Sequence, residues 1–290
     1  MISVLIPSRN EQFLVQTVKS LFEKATGDIE VIVVLDGYWP DPPLLSDKRL
    51  TLIHFGKARG MRPAINAAAE AARGEFVMKL DAHCAVAPGF DKALAENCED
   101  DWVVVPRRYS LDADTWAPRR GRRPIDYLYL SYPSDPNDRG GPGLHGRTWD
   151  EKNRDEALKE KRIDDLMSAQ GSCYFMHRDY FHELELLDED NYGPFANEFQ
   201  EVGFKTWLSG GRVVRNKNTW YAHLHKGKKY GRGYPLGKSD VAKAAAKTNT
   251  WLHDESGWDK QTKPFSWMIK HFWPVPGWPE DEATWKVAEK

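Results

Sequence analysis

The sequence predicts an α/β fold in which helices flank a mostly parallel central sheet. Short apolar runs alternate with helical segments over the first hundred residues, and such alternation is typical of β-α-β units. Two of the apolar runs are followed by acidic residues, Asp36 and Asp81. Because ligands of such sheets bind beyond the carboxyl ends of the strands, we expect both carboxylates at a ligand-binding edge.

The individual elements follow from residue type and spacing. Strands are predicted at short apolar, often β-branched runs, and helices where apolar or alanine residues recur every three to four positions. In chain order, these rules predict strand 2–7, helix 13–24, strand 30–35, helix 62–72 and a strand beginning at residue 76. Pro7 closes the first strand, and Gly74 separates the second helix from the strand that follows it.

Composition and charge restrict the functional classes. The 290 residues are 41% hydrophobic, enough for one large core or two modest ones, and the formal net charge is −2. This charge gives no global attraction to nucleic acids or membranes. The chain has no run of eighteen apolar residues, and its three cysteines lack metal-type spacing. We therefore expect a soluble cytoplasmic protein without a membrane partner, in the host cytoplasm if the chain is viral.

The strand that begins at residue 76 leads into the pair Asp81 and His83. Residues two apart in an extended segment point the same way, so both side chains can reach one cation. A carboxylate and an imidazole suit Mn²⁺ (or Mg²⁺), and diphosphate oxygens can complete the coordination. The alternative is an aspartate in a turn beside a histidine that protein groups satisfy.

Two acidic residues at one ligand-binding edge favour a nucleotide as the ligand. One would bind the base or ribose, and the other would bind the metal ion that holds the diphosphate. The chain has neither a Gly-x-x-x-x-Gly-Lys loop nor a Gly-x-Gly-x-x-Gly helix start, which disfavours kinases and dehydrogenases. Two other classes remain as alternatives. A nucleotidyltransferase would carry a glycine-rich basic signature that residues 7–11 lack, and a non-catalytic sugar- or nucleic-acid-binding protein would not need a metal site.

Several motifs, taken together, are similar to those of one enzyme family. They are residues 6–11, 33–37 and 60–83, the tetrapeptide Asp81-Ala82-His83-Cys84, and the spacing of Glu198, Glu201, Phe204, Trp207 and Gly210-Gly211. With them the chain resembles GT-A glycosyltransferases of the family 2-like superfamily. The motif pattern is most similar to the polypeptide N-acetylgalactosaminyltransferases, whose metal motif is Asp-Ser-His-Cys. The resemblance spans roughly residues 2 to 234 and implies a GT-A (Rossmann-like) fold.

The resemblance implies a metal-dependent glycosyltransferase with a nucleotide-sugar donor, expected to be a UDP-sugar. Counting from Trp207, the third metal ligand falls on His223, and His225 is a rival. The implied metal ligands are Asp81, His83 and His223. The implied donor-binding residues are Pro7, Arg9, Glu11, Asp36, Arg62, Asp81, Trp207, Tyr230 and Arg232. Glu198, Glu201 and Lys226 are the expected catalytic residues.

Residues 226–234, called the lid below, alternate lysines and arginines with glycines. This pattern predicts a mobile segment that brings positive charge onto the donor diphosphate. The alternative is a solvated basic loop.

The motifs also bear on stereochemistry. Inverting GT-A enzymes generally use an aspartate base in a Glu-Asp pair, whereas Phe199 follows Glu198 here. The Glu-x-x-Glu arrangement resembles the retaining family, so we expect retention, with Asp188 and Asp190 as alternative bases. Residues 195–197 replace the family's Trp-Gly-Gly near the expected sugar pocket, so the sugar cannot be taken to be N-acetylgalactosamine.

The acceptor is expected at two further segments. Residues 118–124 hold four arginines, and residues 132–147 form a long Gly/Pro/Asp-rich loop. With the lid they predict a cationic rim for a polyanion, such as DNA of phage type carrying a hydroxymethylated pyrimidine that flips into the site. Alternatively, the arginines pair with Asp112, Asp114 and Asp126, and the acceptor is a protein, a glycan or a lipid-linked sugar.

The predicted organisation is a catalytic domain over residues 1–234 and a wrapping extension over residues 235–290. The catalytic domain divides into a nucleotide-sugar half, 1–105, and an acceptor half, 106–234. The extension holds six tryptophans and several prolines, so we expect it to bury its rings against the domain. Stacking of one tryptophan on a sugar is the alternative.

Overall fold

The computed structural model describes residues 1–135 and 143–286. The strands in these ranges are β1 (Ile2–Ser8), β2 (Ile29–Asp36), β3 (Leu50–Phe55), β4 (Phe76–Leu80), β5 (Cys84–Val86), β6 (Trp102–Asp112), β7 (Ala117–Pro118), β8 (Leu128–Leu130), β9 (Gly146–Thr148), β10 (Ile163–Asp165), β11 (Cys173–His177) and β12 (Arg212–His223). The helices are α1 (Leu14–Lys24), α2 (Met61–Ala71), α3 (Phe90–Ala95), α4 (Asp150–Arg154), α5 (Glu156–Glu160), α6 (Arg178–Glu183), α7 (Glu189–Tyr192), α8 (Glu198–Ser209), α9 (Gly227–Tyr230), α10 (Lys238–Leu252) and α11 (Phe265–His271).

One central sheet contains ten of these strands. Its main order is β10-β12-β6-β11-β4-β1-β2-β3, with β5 beside β12 and β7 beside β6. The four strands β3, β2, β1 and β4 are parallel, as the alternation of strands and helices predicts. Strand β11 runs antiparallel to β4 and β6, so the second half of the chain makes the sheet mixed.

The five predicted elements are confirmed to within about two residues, but the sequence analysis did not predict β3, β5, α3 or β6. The first of these shows why a strand can be missed. This strand lies at the sheet edge, where Leu52 is 43% exposed, so it lacks a buried apolar pattern. The strands of the second half were not predicted either. In β12, the buried polar residues Arg215, Asn216 and Lys217 interrupt any apolar run.

The core consists of two layers, one on each face of the sheet. In β2, Val31 and Val33 pack on the face that α1 covers, and Ile32 and Val34 pack on the face of α2. Successive strand residues point to opposite faces, so a strand covered on both sides reads as one apolar run.

The C-terminal extension belongs to the same core as α2 and α8. Trp251, Trp278 and Trp285 are buried there, whereas Trp273 is 39% exposed. The expected burial of the tryptophan-rich segment is confirmed for these three rings; the domain boundaries stay predictions. None of the helices within the described ranges is long and apolar enough to cross a lipid bilayer.

Candidate metal and donor-binding site

Three predicted metal ligands converge at one edge of the sheet. Asp81 and His83 lie in the turn between β4 and β5, and His223 ends β12, which pairs with β5 so that His223 lies opposite Cys84. The Nε2 atom of His223 lies 3.0 Å from Nε2 of His83 and 3.3 Å from Oδ2 of Asp81. The three ligand atoms lie within 4.8 Å of one another, close enough to bind one cation.

The protonation states of this group suit a metal ion. Burial lowers the pKa of His223 to about 3, so its imidazole is neutral and can donate a lone pair. Burial alone would raise the pKa of Asp81, but the charge of Lys79 and the contact with His223 hold it well below its usual range. Two imidazoles and one carboxylate suit a borderline-hard divalent cation. No second group of three such side chains comes this close within residues 1–135 and 143–286.

Glu11 lies behind His83, in the turn between β1 and α1. Its Oε2 atom is 3.1 Å from Nδ1 of His83 and 2.7 Å from Nζ of Lys226. Its Oε1 atom accepts the backbone N–H of Phe13 at 3.2 Å. The Glu11 side chain is only 5% exposed, so this predicted donor-binding residue is largely committed to protein contacts.

A buried lysine joins the metal group to the start of α8. Lys79 donates to Oδ1 of Asp81 at 2.6 Å, to Oε2 of Glu198 at 3.2 Å and to the carbonyl of Gly171. Although burial alone would lower it, the two carboxylates raise the pKa of Lys79, so the lysine is charged. Burial raises the pKa of Glu198, and its Oε1 atom is buried without a hydrogen-bond partner among the described residues.

Glu11, Asp81, His83 and His223 line one cleft of about 1100 Å³, whereas Lys79 lies behind its wall. The predicted residues Pro7, Arg9, Asp36 and Arg232 line it too, as do Glu198 and Lys226. The Asp36 carboxylate is held by the backbone N–H groups of the loop before α2. Pockets for one small ligand usually occupy about 300–1,000 Å³, so this cleft has room for a donor and part of an acceptor.

Glu201 and Arg62 do not line the cleft. They form a fully buried ion pair between α8 and α2. Glu201 also accepts from Nζ of Lys205 at 3.0 Å and from the N–H of Asp188 at 2.8 Å. Every one of these partners is a protein group, so the surroundings of Glu201 favour a structural role.

Trp207 and Tyr230 also lie outside the cleft lining. Trp207 is buried in the core and donates its Nε1–H to the carbonyl of Leu166 at 3.1 Å. Tyr230 packs edge-on against Phe13, with ring centroids 5.2 Å apart. In these positions neither side chain would contact a bound donor directly.

The rival site residues take other positions. His225 is exposed outside the metal group, and its Nε2 lies 3.3 Å from Nη1 of Arg108. Asp188 and Asp190 line a separate cavity of about 580 Å³ beside α7. The alternative bases therefore lie away from the metal group.

Residues 195–197 adopt an unusual backbone in the cleft wall. Ala196 and Asn197 have φ angles of +77° and +49°, in the region that glycine favours. Arg62 donates to the Ala196 carbonyl at 2.9 Å, and Asn197 donates to Thr248 at 2.8 Å. Ala196 and Asn197 stand where the Trp-Gly-Gly motif of the similar family has its two glycines. They keep a glycine-like backbone conformation, which the neighbouring side chains hold in place.

The sequence analysis did not identify some residues of the site and its surroundings. Lys79 is the single charge inside a buried strand, a signal that periodicity could have revealed. Four other residues reach the cleft only through the tertiary fold: Arg108, Gln170, Tyr234 and Asp240. The Arg108 guanidinium donates to the Gln170 side-chain oxygen at 2.6 Å.

The lid lies against the loop after β1. Asn10 donates to the Gly233 carbonyl at 3.0 Å, and the Arg9 guanidinium lies 4.7 Å from the ring centroid of Tyr234. Tyr230 contacts Phe13, as noted above. The lid thereby covers the metal side of the cleft.

Comparison with known proteins agrees with this geometry. Residues 3–184 match the sequence model of glycosyl transferase family 2. Among curated relatives, polypeptide N-acetylgalactosaminyltransferase 11 of Xenopus tropicalis is 26% identical over 88% of this chain and 43% of its own length. Polypeptide N-acetylgalactosaminyltransferase 14 of Homo sapiens is 20% identical over 91% of this chain and 48% of its own. The chain thus spans less than half the length of these relatives.

Two solved structures share the fold. GalNAc-T7, solved with UDP, GalNAc and Mn²⁺, has a TM-score of 0.67 at 20% identity, over 88% of this chain and 49% of that one. S. aureus TarS 1-349 in complex with UDP-GlcNAc has a TM-score of 0.58 at 12% identity, over 93% and 71%. The predicted GT-A fold and the resemblance to polypeptide N-acetylgalactosaminyltransferases are confirmed. With the family model matching more than half of its residues, this chain belongs to glycosyl transferase family 2.

Proposed function

We propose that the chain is a metal-dependent glycosyltransferase that moves a sugar from a UDP-sugar to a hydroxyl group. The observation that carries this proposal is the convergence of Asp81, His83 and His223 in the cleft of a family 2 chain. Mn²⁺ (or Mg²⁺) and UDP are supported by the neighbour solved with UDP and Mn²⁺ and by the one solved with UDP-GlcNAc.

Asp81, His83 and His223 would hold the ion, which when bound acts as a Lewis acid toward the leaving diphosphate. The chain supplies further positive charge from Lys226 and Arg232, which line the same cleft. Charges fixed near a diphosphate stabilise its developing negative charge without reorganisation during the reaction. The lid that carries them also limits the access of water.

We propose retention of the anomeric configuration. Phe199 cannot accept a proton, and Glu201 is buried in ion pairs, so neither supplies a base for inversion. Glu198 lines the cleft with one oxygen on Lys79 and the other without a protein partner among the described residues. We assign Glu198 to contact with a hydroxyl of the sugar or the acceptor, and NMR of the product's anomeric centre tests retention.

UDP together with Mn²⁺ is expected to stabilise the protein against heat, whereas UDP with a chelator is not. Binding to the folded state alone contributes about 2.7 kcal/mol when the ligand is at 100 times its Kd. The measurement is the melting temperature across a panel of nucleoside diphosphates, with ADP and CDP as controls. Absence of a shift with every nucleotide would favour the non-catalytic binding protein instead.

For the acceptor we propose a polyanion, with hydroxymethylated DNA as the candidate. Arg119, Arg120, Arg122 and Arg123 are exposed, and within the described ranges none lies within 4.0 Å of a carboxylate. Two of the three predicted acidic partners are engaged elsewhere: Asp126 binds Arg107, and Asp112 accepts backbone N–H groups. Residues 136–142 of the predicted acceptor loop lie outside the described residues.

The arginine segment adjoins the lid through aromatic contacts. The Trp116 ring stacks on Phe13 at 5.8 Å, and Phe13 contacts Tyr230 of the lid. The four arginines and the lid cations Lys228, Lys229 and Arg232 are called the basic rim. A cluster of exposed cations beside a cleft supports recognition of a phosphate backbone.

Replacing the four rim arginines by alanine is expected to weaken DNA binding and to lower its salt dependence. Each lost phosphate contact reduces the slope of log K against log salt by about 0.9 on duplex DNA, so the slope should fall by as much as about 3.6. Fluorescence anisotropy with hydroxymethylated and unmodified DNA measures both. The matched control removes Lys19, Lys24, Lys48 and Lys92, four exposed lysines near α1 and α3. Equal losses in both variants, or transfer to a peptide hydroxyl but not to DNA, would contradict the DNA acceptor.

A further inference from the structure

Glu11 links the metal group to the lid, two parts of the cleft that lie far apart in the sequence. Its Oε2 atom contacts Nδ1 of His83 at 3.1 Å and Nζ of Lys226 at 2.7 Å. Lys226 is 215 residues away along the chain. No other carboxylate among the described residues contacts both a predicted metal ligand and the lid.

On the metal side, the contact orients the His83 ring. Nδ1 of His83 is buried and faces the Glu11 carboxylate at 3.1 Å without an aligned hydrogen bond to any described residue, so Nε2 is the nitrogen left for a metal ion. That Nε2 atom faces Nε2 of His223 at 3.0 Å and Oδ2 of Asp81 at 3.9 Å. Carboxylates behind histidine ligands fix the ring and raise its basicity, and their loss typically costs 10- to 100-fold in metal affinity.

On the lid side, Glu11 fixes the surface on which the lid rests. Its Oε1 atom accepts the N–H of Phe13, whose ring contacts Tyr230 of the lid. Asn10, the preceding residue, donates to the lid carbonyl of Gly233. The Glu11 side chain is only 5% exposed, so its contacts hold the carboxylate between its two neighbours.

We infer that Glu11 is a positioning residue that couples metal binding to closure of the lid. A metal ion on His83 fixes the imidazole, the imidazole fixes Glu11, and Glu11 holds Lys226 and the loop beneath the lid. Coupling between two sites is reciprocal, so metal binding closes the lid and a closed lid strengthens metal binding by the same factor. This inference rests on the proposed metal site.

The test compares wild type with Glu11→Gln and Lys226→Met, without nucleotide or sugar. Mn²⁺ affinity is measured by electron paramagnetic resonance, and lid opening by the rate of tryptic cleavage after Lys228 and Lys229, resolved by mass spectrometry. In wild type, Mn²⁺ should slow this cleavage at least about fivefold. Both variants should lose the protection. Glu11→Gln should weaken Mn²⁺ binding 10- to 100-fold. Lys226→Met should weaken Mn²⁺ binding by no more than the factor by which Mn²⁺ slows cleavage of the wild type.

Gln12→Ala is the matched control, because Gln12 lies in the same loop and contacts the lid only at 3.5 Å; it should behave as wild type. Melting temperatures in chelator check that each variant folds. Wild-type Mn²⁺ affinity in Glu11→Gln, or Mn²⁺ protection that persists in it, would overturn the coupling and leave the metal site intact. A wild type that binds no Mn²⁺ would overturn the metal site and the coupling together.

Discussion

Replacing His223 by alanine is expected to reduce sugar transfer about a thousandfold or more. The substitution removes one of three converging ligands, and Lewis-acid stabilisation of a leaving group contributes several kcal/mol, at about 1.4 kcal/mol for each factor of ten. His83→Ala is expected to have a similar effect. The measurements are UDP release from a UDP-sugar and Mn²⁺ affinity by calorimetry.

His225→Ala is the matched control for this prediction. His225 lies two residues further along the chain, contacts Arg108 and is outside the converging group, so its loss should change Mn²⁺ affinity less than tenfold. A larger loss of affinity in His225→Ala than in His223→Ala would reverse the ligand assignment. If both His83→Ala and His223→Ala retained metal-dependent donor hydrolysis, the metal site itself would be refuted.

The same substitution carries information on stability. Nδ1 of His223 is buried without a hydrogen-bond partner within the described residues, and an unpartnered buried polar group is unfavourable. The substitution also removes the contact of His223 with Asp81 at 3.3 Å, so in chelator the melting temperature of His223→Ala should change far less than its activity. The unpartnered nitrogen of His223 is a feature that lowers stability and is retained for binding, as expected of a functional site.

Local patterns explain why part of this molecule could be predicted. The pair Asp81 and His83 is a two-residue pattern at the end of an apolar strand, and the structure brings the two side chains together in the turn that follows that strand rather than within it. His223 lies 140 residues from His83, so no local periodicity could predict that the two side chains meet. Only the spacing of the family motifs pointed to His223 as the third ligand. The parallel half of the sheet was likewise visible as apolar runs, because β2 is buried on both faces.

Contacts made by the tertiary fold explain what the sequence could not show. Glu198 and Glu201 look alike as helix carboxylates three positions apart, yet one lines the cleft and the other meets only Arg62, Lys205 and backbone. The role of Glu11 depends on a contact across 215 residues. Edge strand β3 lacked the apolar pattern because solvent covers part of it.

Replacing Glu201 by alanine is expected to destabilise the fold by about 3–5 kcal/mol, because it leaves buried Arg62 and Lys205 without their carboxylate. Domains commonly have only about 5–15 kcal/mol of total stability, so the melting temperature should fall markedly. Denaturant and thermal unfolding measure this effect. Glu201→Gln keeps the shape and one acceptor oxygen, and its loss of stability should be smaller but clear.

Glu198→Gln provides the contrast, because Glu198 is in the cleft and its Oε1 atom has no partner among the described residues. Its activity should fall more than its stability, whereas folded Glu201→Gln, assayed well below its melting temperature, should keep most of its turnover. Two carboxylates one helical turn apart would then be separated into one substrate contact and one structural ion pair. Lost turnover at an unchanged melting temperature in Glu201→Gln would instead return Glu201 to the catalytic role that its spacing predicts.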